Sequence, residues 1–96
     1  MLVLITYDVN TETPAGRRRL HRVAKKCESC GFRVQMSVFE CNIDAAQYHV
    51  LEHELCQMID PETDSLRFYN LGNNFHNKVV HFGAKPSIDV EKPLII

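Results

Sequence analysis

The chain predicts an α+β fold, a ferredoxin-like plait of β-α-β-β-α-β order with an extra strand at the C-terminal end. Three observations predict it. Two segments carry apolar residues at helical spacing and have readable caps. Apolar or alternating segments precede, separate and follow them. The whole chain has 96 residues, room for one core and so one domain over 1–96. Two helices on one face of a small antiparallel sheet is the economical way to bury both stripes.

Residues 1–9 form an apolar run rich in β-branched side chains, a buried strand that ends at Asp8-Val9. Asn10-Thr11-Glu12 is a polar loop, and Thr13-Pro14 supplies an N-cap and a first-turn proline. The helix runs to about Cys30, with Leu20, Val23, Ala24 and Cys27 as its apolar stripe and Gly31 as its left-handed stop. Residues 32–43 are strand-like: Phe32, Val34, Met36 and Val38 alternate with Arg33, Gln35 and Ser37, which would share one face. Periodicity leaves open whether this is one strand or two. Residues 44–59 form the second helix, capped by Asp44, with Tyr48, Leu51, Leu55, Met58 and Ile59 inward and Asp60-Pro61 as its end. Strands are expected over 65–71 and 78–83, around a turn at Gly72-Asn73-Asn74. After the break at Ala84-Lys85-Pro86, residues 88–96 form a last extended segment. Its apolar tip, Leu94-Ile95-Ile96, needs a cover, and a sheet edge invites one. The segment of about 84–96 is therefore expected to pair with the sheet of a second copy, making a homodimer.

With 45% apolar and 24% charged residues, the composition is that of a globular protein. No stretch approaches the ~20 apolar residues of a membrane helix, and Met1–Ile5 lacks the features of a signal peptide. The expectation is a cytoplasmic protein without membrane contact, whose four cysteines stay reduced. The formal charge of −1 hides a polarised chain: residues 1–33 carry a net +4, 34–66 a net −7 and 67–96 a net +2. Six of the eleven bases lie between Arg17 and Lys26, a local field able to attract a polyanion.

Two metal-like patterns do not carry a site. His49-Val50-Leu51-Glu52-His53 has the spacing of inverted zinc peptidases, but that chemistry needs a third ligand from a distant helix, and the remaining chain reads as strands. Cys27-x-x-Cys30 lacks a second ligand pair, and Cys27 falls on the buried stripe; Cys41 and Cys56 read as packing residues as well. Asp8 stands apart. It is the only acid in the first eleven residues and ends an apolar strand, where an unpartnered charge is costly. A two-fold dimer that brings both copies of Asp8 together would offer Mg2+ two carboxylates, leaving positions for water and phosphate. Arg17, Arg18, Arg19 and Arg22 on the first helix are the expected phosphate contacts, aided by the positive end of the helix dipole. Arg33 and Ser37 could add phosphate contacts, while Tyr7 and Phe39 support by packing.

These residues resemble a known family. Leu4-Ile5-Thr6-Tyr7-Asp8-Val9, Arg19-Leu20-x-x-Val23-Ala24-Lys25-x-Cys27, Gly31-Phe32-Arg33-Val34-Gln35-x-Ser37-Val38-Phe39-Glu40 and Asp64-Ser65-Leu66-Arg67-Phe68-Tyr69 are similar, in order, to the CRISPR-associated protein two family. The phrase ending Ser37-Val38-Phe39-Glu40 is the most specific, and the stretch 33–41 is closest to the subtype I-C branch. The resemblance implies a ferredoxin-like homodimer in which residues 32–43 split near Met36. It also implies Mg2+ held by Asp8 across the dimer, cleavage of DNA or RNA, and partnership with the CRISPR integrase subunit in spacer acquisition. Double-stranded DNA is the first expected nucleic-acid partner and RNA the second. A non-catalytic nucleic-acid scaffold is the alternative. An RNA-recognition or ligand-sensing plait is weaker, because Phe68 and Tyr69 are consecutive and point to opposite faces of a strand.

Overall fold

β1, Leu2–Asp8, is the strand on which everything else is assembled. Its alternate residues Val3, Ile5 and Tyr7 are buried on the side that carries the helices. The computed structural model of the chain describes residues 1–84. α1 spans Pro14–Glu28. Thr13 Oγ1 accepts from the Gly16 N–H at 3.0 Å, and Pro14 opens the helix, as its first-turn signals require. α1 ends earlier than the sequence reading placed it. The Ser29 N–H reaches the carbonyls of Lys25 and Lys26, both at 3.2 Å.

Gly31 is not a left-handed cap, since among the described residues only Gly72 and Gly83 have positive φ. The demand on it is tertiary. A Cβ at position 31 would lie 2.2 Å from Cys41 Sγ and 2.8 Å from the Glu40 carbonyl oxygen. The chain leaving α1 can cross the next strand closely only because that position has no side chain.

Residues 32–43 resolve into β2, Phe32–Gln35, and β3, Val38–Asn42, joined by a turn at Met36-Ser37. α2 spans Ala45–Met58 and begins with a reciprocal cap. Asp44 Oδ1 accepts from the Gln47 N–H at 2.7 Å, while Gln47 Oε1 accepts from the Asp44 N–H at 2.9 Å. β4 is Ser65–Asn70. The four strands form one antiparallel sheet of order β2-β3-β1-β4. Ile5 sits between Phe39 of β3 and Phe68 of β4. Val23 and Cys27 of α1 and Leu51 and Leu55 of α2 close over Val3, Ile5, Phe39 and Cys41 to make the core.

The strand expected over 78–83 does not form among the described residues. Beyond β4 the chain turns at Gly72 (φ +79°), and the Leu2 N–H donates to the Gly72 carbonyl at 2.9 Å. Val80 and Phe82 are 72% and 87% exposed. Strand-like composition did not suffice there without a ladder partner. The expected C-terminal extended segment and its pairing with a second copy lie outside the described residues.

Candidate nucleic-acid interface

Asp8 is exposed at the tip of β1, in register with Ser65 of β4. Tyr7, its neighbour, is buried toward the helices, so strand alternation turns Asp8 to the helix-free side. The loop after it is tied down by a carboxylate the sequence reading did not single out. Asp64, whose side chain is fully buried, accepts from the Asn10 N–H, the Asp60 N–H and Arg19 Nε, each at 2.9 Å. Burial alone would raise the Asp64 carboxyl. The bonds from Arg19, Asp60, Asn10 and Thr63 outweigh it and hold the group well below the usual carboxylate range. Gly16 lets the same loop rest on α1, because a Cβ there would lie 1.9 Å from the Asn10 carbonyl oxygen.

Among the described residues no three or more His, Cys, Asp or Glu side chains gather to hold a metal ion. Among the described residues, Asp8 is the exposed carboxylate at the end of β1. That donor chemistry fits Mg2+, which takes one or two carboxylates and fills its octahedron with water and substrate phosphate.

Arg17, Arg18, His21 and Arg22 line an open concavity of about 790 Å³ along the first turns of α1. All four are exposed, and Arg17 Nη1 donates to the Thr11 carbonyl at 3.1 Å. His21, one turn after Arg17, was missed by the sequence reading although its spacing places it on the same face. Arg19, expected among the phosphate contacts, also lines this concavity and is at the same time paired with Asp64. Its role here is to fasten α1 to the loop between α2 and β4.

Arg33, Gln35 and Ser37 do not share a strand face. A bulge between Arg33 and Gln35 sets them opposite Phe39 and Val38, successive β3 residues that point to opposite faces. Ser37 lies in the turn, where its carbonyl accepts from the Tyr7 N–H at 3.1 Å. Tyr7, Arg33 and Ser37 meet Arg17 and His21 around a cleft of about 250 Å³. Tyr7 stacks on Phe39 with ring centroids 6.3 Å apart, and burial raises its phenol above the ordinary value. The Arg33 guanidinium lies 5.0 Å from the Phe39 ring centre and bonds Glu28 at 3.0 Å.

Fold and site together define a small ferredoxin-like protein with a strand-tip carboxylate on one side and a cationic helix on the other. The chain belongs to the CRISPR-associated protein Cas2 family. The sequence pattern of that family, described as CRISPR associated protein Cas2, matches residues 1–79. The chain is 60% identical over 96 residues, all of both chains, to the CRISPR-associated endoribonuclease Cas2 of Chlorobaculum tepidum. It is 60% identical over 95 residues, 99% of both chains, to the CRISPR-associated endonuclease Cas2 of Halalkalibacterium halodurans. The crystal structure of Streptococcus pyogenes Cas2 at pH 6.5 superposes with a TM-score of 0.74 at 57% identity, covering 86% of this chain and all of the other.

Proposed function

We propose that the chain is a nuclease of CRISPR adaptation: a homodimeric, Mg2+-dependent phosphodiesterase that also holds double-stranded DNA for the CRISPR integrase subunit. RNA is the second substrate. The observation that carries this reading is the exposed Asp8 at the end of a buried strand. It stands in a chain similar over its full length to proteins named endoribonuclease and endonuclease. Asp8 would hold the ion, together with Asp8 of a second copy. When bound, Mg2+ supplies Lewis-acid charge at the scissile phosphate. Arg17, Arg18 and Arg22 would grip the sugar–phosphate backbone without reading bases, which gives strong salt dependence. Arg33 and Ser37 would orient the strand from the cleft beside Tyr7, and Phe39 holds Tyr7 and Arg33 in place.

The test is cleavage of duplex and single-stranded DNA and RNA, with Mg2+ or with chelator, by the wild type and Asp8→Asn. Wild type should cut only with Mg2+. Asp8→Asn should lose that activity while keeping the parental melting temperature, because the side chain is exposed. A variant that cuts like the parent would refute the metal–carboxylate assignment. The scaffold reading is favoured by one feature, the exposed Arg17, Arg18 and Arg22 gathered around one concavity on α1. Duplex binding that depends on Arg18 and Arg22, with no cleavage by wild type, would establish it instead.

A further inference from the structure

Three of the four cysteines converge where the end of α1 meets β3. Cys27 and Cys41 are fully buried, Cys30 is half-buried, and Cys56 is exposed on α2. The Cys41 side chain fills the space beside residue 31, with its Sγ 2.2 Å from where a Cβ on Gly31 would be. It also lies close enough to the Cys30 thiol for the two to interact electrostatically. On its other side Cys30 lines a groove of about 340 Å³ between α1 and α2, with Lys26, Ser29, Gln47 and Val50. Val50 is 57% exposed at its rim. Cys30 therefore has solvent access on one side and a second thiol on the other. A zinc explanation fails, because no metal-competent cluster exists among the described residues.

The three thiols are chemically unequal. Cys30 donates to the carbonyls of Lys26 (3.4 Å) and Cys27 (3.5 Å), which favours the thiol. Interaction with the neighbouring Cys41 thiol, then with Ser29 and the Lys26 ammonium, outweighs burial and holds Cys30 below the ordinary thiol value. The same interaction and burial raise Cys41, and burial pushes Cys27 up to about 12.

We propose that Cys30 and Cys41 are a modification site, a thiol pair that low-molecular-mass disulfides convert to an internal disulfide, with Cys30 entering first and Cys41 resolving. The Cys30 thiolate attacks one sulfur of RS–SR. A Cys30–SR bond forms, the external S–S bond breaks, and RS⁻ leaves to be protonated by solvent. The Cys41 sulfur then displaces the second RS⁻ from Cys30, and the Cys41 proton goes to that leaving group. Two cysteine thiols are oxidised and one external disulfide is reduced to two thiols. Proximity offsets the weak acidity of Cys41 in the second step. The bridge ties the end of the cationic helix to β3.

The experiment uses the full chain carrying Cys56→Ser, treated with oxidised glutathione, acid-quenched, alkylated and digested without reduction. Cleavage after Glu28 and Glu40 places Cys27, Cys30 and Cys41 on separate peptides. The expected product is a bridge between the peptides holding Cys30 and Cys41. Adding Cys41→Ser should stop the reaction at one glutathione on Cys30. The first step should rise from pH 7 to 8.5 by clearly less than the about fifteen-fold expected of a thiol with a pKa of ~8.5. A Cys27–Cys30 bridge, or Cys30 and Cys41 both recovered alkylated, overturns the proposal. So does a fifteen-fold rise with pH, which would remove Cys30 as the entering thiol. The peptide map of the Cys56→Ser chain decides the matter even if Cys41→Ser does not fold.

Discussion

Replacing Asp64 by Ala tests how the strand tip is held. The substitution removes the shared acceptor of the Asn10 and Asp60 N–H groups and the partner of Arg19. A backbone donor left without an acceptor costs about 1–3 kcal/mol when buried, and two partly buried ones together about 2–3 kcal/mol. The Arg19 side chain is 17% exposed and can turn to water, so it adds little. In a domain of this size each kcal/mol moves the melting temperature by about 4–8 °C, so a fall of about 10–20 °C is expected at pH 7. Because the folded carboxyl is held below its unfolded value, its stabilisation is complete above the unfolded carboxylate pKa of ~3.9. It is lost as the pH falls through the folded value, so the gap between parent and variant narrows below about pH 4. Calorimetry at pH 7 and pH 3, with hydrogen exchange at the Asn10 amide, reads both effects. A melting temperature within about 2 °C of the parent at pH 7 would refute the clamp, as would an Asn10 amide still protected in the variant.

Other outcomes follow from the same geometry. Arg18→Glu with Arg22→Glu should weaken duplex binding uniformly across sequences and lower the salt-dependence slope by about 2 per protomer, read by titration at several salt concentrations. Gly31→Ala should destabilise by about 1–3 kcal/mol in denaturant melts. Cys41→Ala should recover part of that loss, because it removes one of the two close contacts at the new methyl. Leu55→Ala empties a fully buried site and should cost about 2–5 kcal/mol with the denaturant slope unchanged.

What was legible in the sequence is what neighbours in the chain decide. Asp44 and Gln47 cap α2 by bonds within four residues, and Pro61 lies just beyond its end, so that helix reads correctly at both ends. Thr13-Pro14 likewise fixes the start of α1. Its end was misplaced because Gly31 answers to β3, not to the helix. Periodicity left the break at Met36-Ser37 open because alternation continues through both strands, and it was the family resemblance that implied a split there; the bulge that separates Arg33 from Gln35 leaves no mark in the pattern. Asp8 was legible as a lone acid at the end of an apolar run. Arg19 was not separable from its neighbours, since its partner Asp64 is 45 residues away and only the folded chain brings them together.

A chain of net charge −1 can present a cationic face because its acids and bases have different duties. In the acidic middle third, Asp44 caps α2, Asp64 holds Arg19 and two backbone amides, Glu54 pairs with Lys26, and Asp60 accepts from the Glu62 N–H. Asp64 and Glu54 are each paired with a cation and contribute little field at a distance, whereas Asp44 and Asp60 keep their net charge while accepting from backbone amides. Arg18 and Arg22 stand exposed beside Arg17 and His21 on α1, one to two turns from the positive end of its dipole. Local distribution rather than total charge therefore governs attraction for a polyanion. Substitutions that alter the net charge elsewhere on the surface leave that attraction in place unless they free Asp64 or Glu54 to turn toward the helix.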